Sequence, residues 1–208
     1  MKPRYNFVYE KAAEFLESLQ EDFIYPLDFE KIIGSKGWIL NYYSHFDAPK
    51  YEISIDGYST YANNNFDIFI NIFQPEFRKQ FTFGHEVGHV TLNHHLEFKK
   101  ELLLHDPRVI NALEREANCF SRLIITPAEI IKPLTFKTPY LIHEVFNVSV
   151  QMAKIRLEWL SRDFERSKFN NYTAINKVLS DVDIKIREAN EELQRMKEVM
   201  QFLKPEDT

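Results

Sequence analysis

The run His85-Glu86-Val87-Gly88-His89 places two imidazoles four positions apart. On a helix that spacing sets both on one face, about one turn apart, so both can reach one zinc ion (Zn2+) at about 2.0–2.1 Å. Glu86 then points to a neighbouring face. From there its carboxylate reaches a metal-bound water rather than the metal, which is the arrangement of a general base in zinc-dependent hydrolysis. Catalytic zinc usually takes three protein ligands and one water, so a third ligand is required. The candidates are His94, His95, Glu97, His105, Glu114 and Glu116. On a helix Glu114 shares its face with Ala117, Asn118 and Ser121, whereas Glu116 lies roughly 200° away, so only one of the two can face the metal. Ala117 leaves room for a close helix approach, and Asn118 is placed to hydrogen-bond a metal-bound histidine. Glu114 is therefore the expected third ligand. Glu116 is the alternative, and otherwise a solvated surface charge.

Positioning these groups requires two helices and a sheet. The pattern is helical from Phe77 to about Phe98, which carries the histidines. A second helix is expected over 106–125, started by Asp106-Pro107 and stopped at Thr126-Pro127. Strands are expected at 38–40, 51–55 and 66–72, with Asp56-Gly57 and Asn63-Asn64-Asn65 as turns. Further helices are expected at 8–20, 27–33, 140–146 and 150–165, the last capped by Ser149. The class is α+β, with one domain over 1–165 and a long helix in 170–208.

Composition narrows the function. The chain has 208 residues, and no apolar run is long enough for a transmembrane helix. The N-terminal segment carries Glu10, Glu14 and Glu17 where a secretory signal would be apolar, so the expected location is the cytoplasm. The single Cys119 excludes an intramolecular disulfide and reads as a buried packing residue. With 26 basic against 31 acidic side chains the net charge is −5, which argues against a nucleic-acid surface. Only five glycines are present, too few for a phosphate-cradling loop, yet Gly84 and Gly88 both lie on the metal helix. Each costs about 1 kcal/mol of helix propensity there, which points to a close approach of another backbone.

Taken together, Gln80-Phe81-Thr82-Phe83-Gly84 before the histidines and Glu114 through Pro127 after them resemble the ImmA/IrrE metallopeptidases, whose pattern reads roughly FTxAHExGH followed by ExxAxxFAxxLLxP. The resemblance spans about 10–162. It implies a zincin-like fold, a small sheet with an HExxH helix and a second ligand helix, followed by a helical extension. It implies His85, His89 and Glu114 as zinc ligands and Glu86 as the catalytic glutamate. It also implies a substrate: a partner regulator, typically a helix-turn-helix repressor of a phage or mobile element. Two departures stand out. Ser121 replaces an alanine, and Asn93 stands where a histidine often follows, with His94 shifted by one.

In the expected mechanism the substrate lies extended along an edge strand at 66–72. Tyr140, His143 and His94 are the candidates for stabilising the tetrahedral oxyanion. Residues 140–160 also resemble a helix-turn-helix in outline, with Phe146, Val148, Ile155, Leu157 and Leu160 as its core and Lys154, Arg156 and Arg162 towards phosphate. A structural role for this segment is favoured. Val182, Ile186, Ala189, Leu193, Met196, Met200 and Leu203 form a heptad seam, suited to docking on the chain's own body or to a homodimer contact. The alternatives to an endopeptidase are a non-catalytic regulator that binds its partner through the same fold, and a DNA-binding module.

Overall fold

A computed structural model describes residues 1–20, 23–44, 56–134 and 137–202. The strand expected at 51–55 lies outside these residues. The N-terminal helix α1 (Tyr5–Ser18) carries Val8, Ala12, Phe15 and Leu16 on one buried stripe. It is followed by α2 (Phe29–Ser35), whose first turn is capped by the Asp28 carboxylate accepting from the Lys31 amide.

Three strands follow: β1 (Ile39–Tyr43), β2 (Gly57–Ala62) and β3 (Asn65–Asn71). The order is β1-β3-β2, with β1 parallel and β2 antiparallel to β3. Asn63 and Asn64 both take positive φ (51° and 62°), giving the two-residue turn that matches the twist of a hairpin. Two expectations change here. Gly57 opens a strand that was read only as a turn, because Tyr58-Ser59-Thr60-Tyr61 lacks apolar alternation and is held by pairing with β3. In addition, β3 is the central strand, so among the described residues β2 is the edge that borders the site. Ile68 and Ile70 on β3 are fully buried beneath α3.

The metal-motif helix α3 (Glu76–Thr91) and helix α6 (Pro107–Ile125) share the most extensive helix contact in the fold. Helix α6 starts as read, with the Asp106 carboxylate accepting from the Arg108 amide and Pro107 in the first turn. The helix expected to continue to Phe98 instead ends at Thr91. Asn93 takes the left-handed conformation (φ 60°), which asparagine tolerates, and the chain turns back into α4 (His94–Glu97) and α5 (Lys99–Leu103).

Beyond α6 lie α7 (Ala128–Ile131), α8 (Pro139–Phe146), α9 (Val150–Arg166) and α10 (Tyr172–Phe202). Ser149 caps α9 by accepting from the Met152 amide. Phe146, Val148 and Leu160 are buried as expected, but Ile155 is exposed and Leu157 only half-buried. Arg156 cannot touch phosphate: it is completely buried and ion-paired with Asp163. The same Asp163 accepts from Arg122 (2.9 Å) and from the Tyr9 hydroxyl (2.5 Å), tying α9 to α6 and α1. In α10, Ile175, Val178 and Val182 are buried against the body, while Ile184 and Met196 stand exposed. No helix among the described residues is long and apolar enough to cross a membrane.

Candidate metal centre

Two glycines let the ligand helices meet. A Cβ on Gly88 would lie 3.2 Å from a ring carbon of Phe120 and 3.3 Å from the Ala117 carbonyl oxygen. A Cβ on Gly84 would lie 2.6 Å from Ser121 Oγ. Each position therefore faces α6 at a separation that leaves almost no space for a side chain. The expected second-helix approach, with Ala117 at the crossing, is what the structure contains.

That crossing brings His85, His89 and Glu114 together, with one ligand atom of each lying within 4.8 Å of the others. The two Nε2 atoms are 3.1 Å apart. Glu114 approaches His85 Nε2 at 3.2 Å and His89 Nε2 at 3.3 Å. Bonds of about 2.0–2.1 Å to a tetrahedral zinc require ligand atoms about 3.3 Å apart, so the spacing suits that ion. Burial acts against charging His85, but the Glu114 hydrogen bond and the neighbouring Glu86 and Glu114 charges outweigh it and raise its pKa. Glu114 is held below the ordinary carboxylate range: burial opposes this, and the two histidines prevail. This mutual attraction of two imidazoles and a carboxylate is what a bound cation would replace. The three residues could hold a metal ion.

The outward nitrogens are also held. His85 Nδ1 lies 3.0 Å from Asn118 Oδ1, the partner expected from its position one turn beyond Glu114. An amide oxygen only accepts, so His85 carries its proton on Nδ1 and presents a lone pair at Nε2. His89 is fixed by a longer chain. Glu116 accepts from His94 Nε2 at 3.1 Å, so His94 is protonated there and accepts at Nδ1. His89 Nδ1, 3.0 Å away, must then donate, leaving its Nε2 lone pair for the metal.

Glu116 is accordingly no surface charge. The helical wheel is right that it faces away from Glu114, but that direction holds α4 and the start of α1 rather than solvent. It is completely buried and accepts from the Arg4 amide at 2.6 Å and from the Arg4 guanidinium at 2.9 Å. Burial would raise its pKa, yet the hydrogen bonds from His94 and Arg4 lower it to about 2. His94 is buried behind His89 and is no metal ligand, and neither His95, Glu97 nor His105 joins the cluster.

The cleft over this site, about 480 Å3, is lined on one side by Tyr58 and Ser59 of β2 and on the other by α3 and α6. Glu86 is almost fully buried at its base, and its Oε2 accepts from the Ser59 hydroxyl at 2.8 Å. Ser59 Oγ also lies 3.0 Å from His95 Nε2. With its own proton given to Glu86, Ser59 accepts from His95. Burial and the neighbouring His89 and His94 push His95 down to about 4, so it is neutral at pH 7. Sequence reasoning missed Tyr58, Ser59 and this role of His95. Gly57 is the trace this strand leaves in the sequence: a Cβ there would lie 2.6 Å from Thr82, so only glycine lets the strand pass so close to α3. Tyr140 and His143, named for the oxyanion, do not line the cleft.

The α+β fold thus brings two histidines and a glutamate into one cleft beside β2, as a group that could hold a metal ion. The family model of peptidase M78, described as the IrrE N-terminal-like domain, matches residues 44–158. The chain belongs to this peptidase family. No curated protein matches it.

Proposed function

We propose that the chain is a zinc-dependent endopeptidase that cleaves one partner protein, a helix-turn-helix transcriptional repressor of a phage or mobile element, in the cytoplasm. The observation that supports this most directly is the convergence of His85, His89 and Glu114 with the Glu86 carboxylate in the same cleft. The nature of the partner follows from the family resemblance.

Zinc held by His85, His89 and Glu114 would acidify a water and polarise the scissile carbonyl. Glu86 is the general base. Ser59 occupies one of its oxygens and fixes the carboxylate plane, and the other oxygen takes the proton of the attacking water. The new C–O bond forms, and Glu86 returns that proton to the amide nitrogen as the C–N bond breaks. Neutral His95 holds Ser59 in place by donating to it. The substrate runs extended beside β2, whose outer edge pairs with no strand among the described residues and supplies backbone hydrogen bonds.

Purified protein is expected to contain about one zinc per chain. Glu86→Gln keeps the zinc and abolishes the single cut that mass spectrometry finds in a co-expressed repressor. A regulatory effect that survives Glu86→Gln would exclude proteolysis and favour the non-catalytic regulator.

A further inference from the structure

Helix α6 continues past the metal cleft, and two more cavities open along it. Asn118 borders all three. The nearer one, between α3 and α9, is apolar and lined by Phe77, Phe81, Met152 and Ile155. The farther one, about 240 Å3, lies between α1, α6 and α9 and is lined by Arg115, Arg122, Arg162 and Arg166 around Trp159 and Tyr5. Among the described residues no acidic side chain lines either of these two cavities, and the nearest carboxylate partner of the arginines is the buried Asp163 beneath them. In a chain of net charge −5 that segregation is a local reversal of sign.

The arginines are arranged rather than scattered. Arg162 stacks on Trp159 with its guanidinium carbon 3.1 Å from the ring centre, and Arg122 approaches the same ring at 5.1 Å. Arg122 is anchored from below by buried Asp163, which fixes its orientation. Among the described residues the ion pairs at this pocket are those of Asp163 with Arg122, Arg156 and Arg162, and Arg115 and Arg166 take part in none of them. Arg122 Nε donates to Asp163 and Arg162 Nε lies 3.8 Å from the same carboxylate, so one side of each is taken; the terminal nitrogens of Arg162 and the guanidiniums of Arg115 and Arg166 remain to meet an oxyanion, and planar carboxylates suit such edges.

We propose that this arginine–tryptophan pocket binds an acidic segment of the polypeptide held in the metal cleft. The proposal rests on the endopeptidase reading and assigns that enzyme a determinant of substrate choice. Arg122 lies eight residues beyond Glu114 on one helix, about 12 Å, which about four extended residues span. An apolar residue on the way fits the ledge between α3 and α9. A polyanion such as nucleic acid is disfavoured as the occupant, because the adjoining cleft carries Asp56, Glu86 and Glu114. A polypeptide can present acid only where the arginines are.

The test uses the full chain carrying Glu86→Gln, to stop cleavage, and Trp38→Phe, to leave Trp159 as the only tryptophan. An eight-residue peptide with one leucine and three consecutive glutamates is titrated against Trp159 fluorescence. A glutamine version of the peptide and a ten-residue oligothymidylate are titrated in parallel. The acidic peptide is expected to bind saturably and to lose about tenfold in affinity when its glutamates become glutamines. Arg162→Gln with Arg166→Gln, both exposed positions, should lose a similar factor while the far-UV circular dichroism stays unchanged. Equal binding of both peptides, tighter binding of the oligonucleotide, or no effect of the arginine changes would overturn the proposal. None of these readouts uses cleavage, so failure of the subsite and failure of the endopeptidase reading are separable.

Discussion

The contact between Gly84 and Ser121 gives the sharpest test of how the metal helices are held together. The family pattern places alanine at both positions, whereas this chain has a glycine facing a serine. The serine hydroxyl occupies the space a methyl at position 84 would take, 2.6 Å from the ideal Cβ, and it donates to the Phe81 carbonyl at 3.0 Å. Gly84→Ala alone therefore forces an overlap costing about 2 kcal/mol, against which alanine recovers about 1 kcal/mol of helix propensity. The net loss is about 1 kcal/mol. Ser121→Ala alone gives up a hydrogen bond worth about 1 kcal/mol. In the double variant the overlap disappears, the propensity gain remains, and only a 3.1 Å contact with Ile125 persists. Its stability should equal that of the parent within about 0.5 kcal/mol, giving a coupling of about 2 kcal/mol. Urea unfolding of the four proteins followed by circular dichroism measures this, and each kcal/mol should also move the melting temperature by about 2–4 °C. Strictly additive changes would refute the claim that these two positions share one space.

Three further outcomes follow from other contacts. Gly88→Val pushes against the backbone at Ala117 and separates Glu114 from the two histidines, so zinc affinity should fall at least about tenfold without loss of a ligand; full zinc retention in a competition titration would count against this. Asn118→Ala frees His85 Nδ1 and should weaken zinc binding about tenfold to a hundredfold while leaving urea stability nearly unchanged, since Asn118 is exposed; unchanged zinc affinity would remove it from the site. Glu129 on α7 is nearly buried, near Arg156 and Asp163, and one of its oxygens has no partner among the described residues; burial raises its pKa from an ordinary 4.5 to about 7. The folded chain thus binds the proton more tightly than the unfolded one. Its contribution is fully present below about pH 4.5 and is lost as pH rises through about 7, by up to about 3 kcal/mol. Glu129→Gln should flatten that decline in chemical unfolding measured from pH 4.5 to 8, and an unchanged slope would show that the group ionises freely.

What the sequence made legible was whatever depends on spacing within one element. Two histidines at i and i+4, a glutamate between them and an Asn118 one turn from Glu114 need only the pitch of a helix, and the structure brings all of them to one point. The scarce glycines were legible for a similar reason, since an unfavourable residue on a helix implies a compensating contact, and α6 supplies it. Glu116 shows where this stops. Its direction on the helix follows from the same pitch, but what it meets there does not: Arg4 is 112 positions away in the chain, and His94 arrives only because Asn93 turns the backbone left-handed. A charge is read as solvated when its surroundings are unknown, because an unpaired buried carboxylate is expensive. Here the pairing is complete, and the residue that looked dispensable ends a chain of hydrogen bonds that sets which nitrogen of His89 is left to face His85 and Glu114. The β2 strand was hidden by the same non-local logic. Its polar residues gain their place from β3 and from the cleft, so apart from the nearby Gly57 nothing local marked Ser59, the residue that orients Glu86.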